Sequence, residues 1–203
     1  MLASGHLFFA VFLGTILMSI TGAVSIEGLI VVMISGVLPD LDGVLHFLRG
    51  KKYDNTFRHH TWPTHTFFLY FLGFLVIFLL GFPLFSLLFL IGTFSHLGED
   101  MIGSGDGIAV FWPFSKKMFG IHLLNAHGRE WMEKYLSFWY FRWIERIAII
   151  LGLLCILMIG MTIWERNGII NIIWLTIMGV SLIGGILMFK VTLSIPRSSH
   201  EIA

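Results

Sequence analysis

Nine side chains with the chemistry to grip a divalent cation fall into four short stretches of this 203-residue chain. His6 stands near the start. Asp40 and Asp42 lie in LPDLDG (38–43). His59, His60 and His65 lie in RHHTWPTHTFF (58–68), and His96, Glu99 and Asp100 in SHLGED (95–100). Imidazole and carboxylate are the nitrogen and oxygen ligands that Zn²⁺ takes where thiolates are absent. The only cysteine, Cys155, rules out a thiolate site or a disulfide framework within one chain. His96 and Asp100 are spaced i,i+4, so on a helix both reach one ion from one face. Asp40 and Asp42 flank a single residue, and Pro39 frees that turn from helical geometry. A carboxylate-rich site of this kind can hold two or more ions, bring a bound water to a pKa of about 7 and stabilise an in-line displacement at phosphorus.

The elements that position these residues are apolar. The hydrophobic fraction is 57% and the charged fraction 12%, about half the charge of a soluble domain, and the mean hydropathy is +0.88. The net charge of +1 specifies no partner. The pattern predicts an all-α, polytopic membrane bundle of about six spans, near 7–23, 24–39, 65–81, 84–99, 144–164 and 169–190. The first is read as a retained span, because no basic n-region or cleavage site accompanies it. Gly81-Phe82-Pro83 breaks the third span from the fourth. That leaves two short helices whose polar ends lie below the membrane surface. Six spans place both termini on one face, with the loops 40–64 and 100–143. Of the 13 Lys and Arg, only Arg166 falls on the other face, so the loop-bearing face is expected to be cytoplasmic. Every candidate ligand sits at the end of a helix on that same face.

At these residues the sequence resembles the YdjM-like family of inner-membrane metal-dependent hydrolases. The resemblance covers about residues 1–120. It rests on His6, PDLD at 39–42, the run from His60 to Thr64-His65, the pair His96 and Asp100, and WPFS at 112–115. The family is grouped with the zinc-dependent phospholipase C and single-strand nuclease superfamily. The resemblance implies an all-helical zinc site, phosphoester hydrolysis, and His6, Asp40, His65, His96 and Asp100 as ligands. The chain departs from the family pattern at Thr61, where members carry Arg, and at Gly103, where Thr is common. The GSGDG turn at 103–107 is one residue longer than usual. If the missing arginine contacts a phosphate, Arg58 takes its place.

Beyond Asp100, the Gly-rich turn offers backbone N–H groups to an anion, with Asp106 as an additional ligand candidate. WPFSKK sets Lys116 and Lys117 at the interface, as snorkelling anchors or as contacts to a lipid phosphate. His122, His127 and Glu130 form a second, weaker cluster. Residues 130–146 are crowded with aromatic side chains, as an interfacial helix would be. The organisation expected is a four-span catalytic core with interfacial loop and aromatic-rich helix (1–143), followed by two further spans and a tail (144–203).

The function expected is a membrane-embedded hydrolase acting on a phospholipid or other amphiphile, with two or more Zn²⁺ ions, or other divalent metals, held by His6, Asp40, His60, His65, His96 and Asp100. A metal-bound hydroxide would attack the ester, and Asp42 or Asp40 would orient the water or take its proton. Arg58, Lys116 and Lys117 are the candidate substrate contacts. The site's depth favours a lipid over nucleic acid. The rivals are an amide or acyl-ester hydrolase on the same metals, a metal transporter, and a non-catalytic protein with a structural metal. Transport predicts ligands at the bilayer midplane, whereas these lie at one end.

Overall fold

The computed structural model describes residues 3–48, 60, 62–103, 107–121, 134, 135, 137 and 139–167, with positions 179, 183 and 186 beyond. The described chain is helical. Its elements are α1 (Ala3–Ile20), α2 (Ile26–Val37), a 3-10 turn (Leu38–Asp40), α3 (Leu41–Leu48), a second 3-10 turn (Pro63–His65), α4 (Phe67–Leu79), α5 (Pro83–Gly103) and α6 (Trp139–Asn167). No strand occurs among the described residues; Ile108 and Phe119 make an isolated antiparallel bridge.

Local chemistry sets the breaks. Ser25 caps α2 by accepting from the Gly28 N–H at 3.0 Å, satisfying one of the donors a helix start leaves open. Pro39 and Pro63 each sit in the first turn of a 3-10 segment, where a missing N–H costs nothing. Gly81 adopts φ 89° between α4 and α5, a conformation that disfavours any Cβ. Side-chain hydroxyls inside the helices are satisfied by their own backbone. Thr15 donates to Val11 O at 2.7 Å and Thr93 to Phe89 O at 2.9 Å, a local solution suited to surroundings without water.

The expectation of about six spans is corrected. Among the described residues, two helical runs are long and apolar enough to cross a membrane. One is Ile26–His46, where α2, the 3-10 turn and α3 follow one another; the other is Phe141–Ile163 within α6. The apolar helices Ser4–Ile20 and Phe67–Leu79 are shorter. At 1.5 Å per residue, the 13 residues of α4 cover about 20 Å, short of a hydrocarbon core of about 30 Å. α5 is 21 residues long, but its last turns carry His96, Glu99 and Asp100. The expected span 169–190 lies outside the described residues apart from three isolated positions. α6 begins before the expected 144 and runs unbroken across the 143/144 division.

α1 packs on α2, α5 and α6, and α5 also contacts α2 and α4. The main core joins Phe8, Val11, Met18, Leu29, Val32, Leu88 and Ile156. A second cluster, Tyr70, Leu97 and Ile108, lies beside the polar end of α5. Small residues bring the backbones of α1, α2 and α5 together at that end. A Cβ on Gly92 would collide with Ser35, and one on Gly36 would stand 2.6 Å from the Ala10 Cβ. Gly92→Val should therefore lower thermal stability in detergent by about 1–3 kcal/mol, the usual cost of overpacking. Gly98→Ala, which meets nothing within 4 Å, should be neutral or mildly stabilising. Equal melting curves for Gly92→Val and wild type would refute the close-packing account.

Candidate metal centre

The close approach of α2 to α5 has a direct consequence for chemistry. The His96 ring lies against the C-terminal end of α2, and its Nδ1 is 2.8 Å from the carbonyl of Gly36. That contact requires Nδ1 to carry a proton, and in the neutral ring the Nε2 lone pair then faces inward. His96 Nε2 is fully buried and has no hydrogen-bond partner among the described residues. It lies 3.1 Å from Asp100 Oδ2, one turn along α5, and 3.5 Å from Asp40 Oδ1 on the first 3-10 turn. His65, on the second 3-10 turn, brings its Nε2 to 3.7 Å from Asp40 Oδ1 and 3.6 Å from Asp100 Oδ2.

Three of these four edges, at 3.5–3.7 Å, are too long for good hydrogen bonds, and with the 3.1 Å edge they suit ligands around a shared ion. In a tetrahedron with bonds of about 2.0–2.1 Å, ligand atoms stand about 3.3–3.4 Å apart. The donor set and the orphaned His96 Nε2 therefore fit a divalent cation. Two further groups close up around the same carboxylate: His6, His96 and Asp100, and His60, His65 and Asp100. Asp100 turns Oδ1 to His6 Nε2 at 3.3 Å and Oδ2 to His60 Nε2 at 3.6 Å. Both oxygens of Asp100 are thus directed to different imidazoles, so Asp100 would be shared if more than one ion were held here.

A surrounding layer holds the imidazoles in register, as hydrogen-bond partners of ligating histidines generally do. His6 Nδ1 lies 2.7 Å from Glu99 Oε2, and the His6 ring stacks on His96 with centroids 3.8 Å apart. Asp42 is fully buried behind His65, its Oδ2 3.5 Å from Nδ1. The Thr64 hydroxyl and the Gly43 N–H both donate to that carboxylate, at 2.9 and 2.6 Å. Asp42 thus faces the side of His65 away from the cluster, whereas Asp40 is half-buried and meets solvent. Burial opposes a charged His65, but the carboxylates of Asp40 and Asp42 and the charge of Asp100 outweigh it. They hold its pKa above the ordinary imidazole value.

Of the residues singled out from sequence, His6, Asp40, Asp42, His60, His65, His96 and Asp100 converge here from α1, the two 3-10 turns and their flanks, and α5. Lys116 and Lys117 are exposed on the loop after α5. Arg58, His59, Asp106, His122, His127 and Glu130 lie outside the described residues. Thr64 was noted only as part of a motif, and the Gly36 carbonyl was not singled out; away from the cluster, the Tyr135 hydroxyl donates to Glu145 at 2.8 Å. Glu145 and Tyr135 are both buried, so Tyr135 is a core residue rather than part of an interfacial belt. The signal for that pair was present in the sequence: a carboxylate in an apolar helix needs a partner.

Fold and site together describe an all-helical membrane protein with a buried imidazole–carboxylate cluster at one end of the bundle. The chain belongs to the YdjM inner membrane protein family, whose model matches residues 1–169. No curated protein and no solved structure matches it.

Metal analysis of the purified protein checks the cluster. His96→Ala and Asp100→Ala should lose bound divalent metal, and Asp42→Asn should weaken binding by roughly 10–100-fold. Equal, negligible metal in all of them and in wild type would exclude the centre. Because its neighbours hold the proton on His65, protons compete with metal to higher pH than at a free imidazole. Metal affinity should therefore keep rising with pH beyond about 6.5; a plateau reached below that value would contradict this.

Proposed function

We propose that this protein is a membrane-embedded, metal-dependent hydrolase that cleaves a phosphoester of a phospholipid or related amphiphile. The observation that carries the reading is the convergence of His65 Nε2, His96 Nε2, Asp40 Oδ1 and Asp100 Oδ2 at the spacing of a ligand shell. When bound there, Zn²⁺ or a similar ion would acidify a water and polarise a phosphoryl oxygen.

The chain's own residues divide the remaining work. Gly36 O and Asp42 occupy the Nδ1 positions of His96 and His65, so both rings present Nε2 to the ion. Glu99 does the same for His6. Asp100 offers one oxygen to each side of the cluster, which suits more than one ion. Asp40 is the cluster carboxylate with the most exposed side chain, at 25%, and is the group best placed to receive a proton from an attacking water. Asp42, buried and already accepting from Thr64 and Gly43, orients His65 instead.

Two features support a lipid-type substrate. The chain is a membrane protein by family, and the cluster lies at the ends of short apolar helices, where a headgroup rather than a soluble polymer would arrive. The two described spans, Ile26–His46 and Phe141–Ile163, and the inner membrane family support a multi-pass topology in the inner membrane, and we place the site on its cytoplasmic side.

The test is an assay of purified, zinc-loaded protein against a panel of phospholipids and, in parallel, a panel of lipid amides and acyl esters. Headgroup release that disappears with chelator and in His96→Ala is the expected result, with a loss of at least about 10³-fold in kcat/KM. Cleavage confined to the amide or acyl-ester panel would transfer the reading to that chemistry. A metal-loaded protein inert on both would overturn the hydrolase reading.

A further inference from the structure

Residues 107–121, after α5, form a loop closed by a single bridge, a hairpin whose root and tip have opposite character. At the root, Ile108 and Phe119 exchange backbone hydrogen bonds at 2.9 and 2.8 Å, and Ile121 N donates to Met101 O at 2.8 Å. Gly107 takes φ 70°, and a Cβ there would strike the Phe119 backbone. Ile108 and Ala109 are buried, and Val110 packs against the cluster of Tyr70 and Leu97. The hairpin is therefore fixed to the same end of α5 that carries Asp100.

The tip turns outward. Trp112 N donates to Ala109 O at 3.1 Å, and Phe114 N and Ser115 N donate to Phe111 O at 2.9 and 3.0 Å. This compact turn presents Phe111 at 57% and Phe114 at 84% exposure. The edge of Phe114 meets Phe68, in the first turn of α4, with centroids 5.8 Å apart. Lys116 and Lys117 follow at once and are exposed, with Lys117 Nζ above the Phe119 ring at 5.4 Å. Aromatic rings held outward by a rigid turn, next to two cations, are unfavourable in water. They match the layering of a leaflet, with apolar groups among acyl chains and ammonium groups at phosphates.

We propose that the 111–117 tip is an interfacial wedge. Phe111 and Phe114 enter the acyl region of the leaflet beside the metal-centre end of the bundle, and Lys116 and Lys117 bind phosphates of anionic phospholipid headgroups. The occupant is identified by charge complementarity with the two lysines and by the membrane setting of the family. The wedge does not depend on the catalytic reading. If hydrolysis is also established, it would concentrate anionic headgroups at the mouth of the site.

Spin labelling of the full chain in lipid nanodiscs tests this without reference to activity. Cys155 is the only cysteine, so a Cys155→Ala background accepts single labels at Phe114→Cys, Phe111→Cys or Lys117→Cys. In discs of phosphatidylcholine with phosphatidylglycerol, labels at 111 and 114 should be relaxed mainly by oxygen. The label at 117 should be relaxed mainly by a water-soluble nickel chelate. Replacing phosphatidylglycerol by phosphatidylcholine, or introducing Lys116→Gln with Lys117→Gln, should move the label at 114 toward water. Chelate access at 111 and 114 equal to that at 117 would overturn the wedge. A depth at 114 that ignores both lipid charge and the lysine substitutions would overturn the headgroup contact.

Discussion

The arrangement turns on one buried carboxylate. Asp100 is almost fully enclosed and touches His6, His60, His65 and His96, which come from three separate parts of the chain. An isolated ionised carboxylate is costly to remove from water. Its burial is tolerable only because imidazoles, and in the proposed reading a cation, surround it. The same cost keeps the bundle in register. Any slip of α5 against α1 or α2 would part Asp100 from His6, or His96 from Gly36, and leave charge uncompensated.

Other polar groups in the helices are handled differently. Thr15, Ser35, Ser86 and Thr93 return their hydroxyl protons to carbonyls of their own helices, so they make no demand on neighbouring segments. The His and Asp side chains cannot satisfy themselves in that way, because rings and carboxylates on separate elements must meet. Hydroxyl groups leave the helices free to pack by shape, and the cluster then selects which ends meet. Packing by shape is what Gly36 and Gly92 allow: with a Cβ at either, α2 could not bring its carbonyl end to the His96 ring.

The ligand-bearing stretches were legible in the sequence because ionisable side chains are conspicuous against a 57% apolar background. The i,i+4 relation of His96 and Asp100 and the proline before Asp40 translated directly into geometry. The break at Gly81–Pro83 was also legible, although of the two short helices it announced only α4 is short, and α5 runs to 21 residues. What spacing could not supply was orientation. Whether Asp40 or Asp100 lies between two sets of imidazoles depends on the crossing of α1, α2 and α5. Periodicity says nothing about that crossing. Asp42 looked equivalent to Asp40 from two positions away, but a 3-10 turn followed at once by α3 sends them to opposite sides of His65. The count of six spans failed for a related reason. Apolar composition marks a helix for burial in lipid or in protein alike, and only length against bilayer thickness separates the two.

Length also bears on how a reactant would reach the centre. A helix ending short of the headgroup layer leaves its polar terminus below the water surface. Water and ions then reach that terminus only through a gap in the rim. Asp40 is half-buried, whereas His6, His65 and His96 are fully buried. α3, which continues from Asp40, exposes Leu41, Val44, Leu45 and Leu48, the i, i+3, i+4, i+7 stripe of a helix with one apolar face. Asp40 is thus bordered by a surface that acyl chains wet better than water does. A molecule with a polar head and an apolar tail could set its head at Asp40 without lifting its tail out of the hydrocarbon. A fully soluble substrate would have to pass that apolar border with its charges stripped of water. This asymmetry in desolvation, more than any single contact, is what the proposed reaction on an amphiphile would exploit.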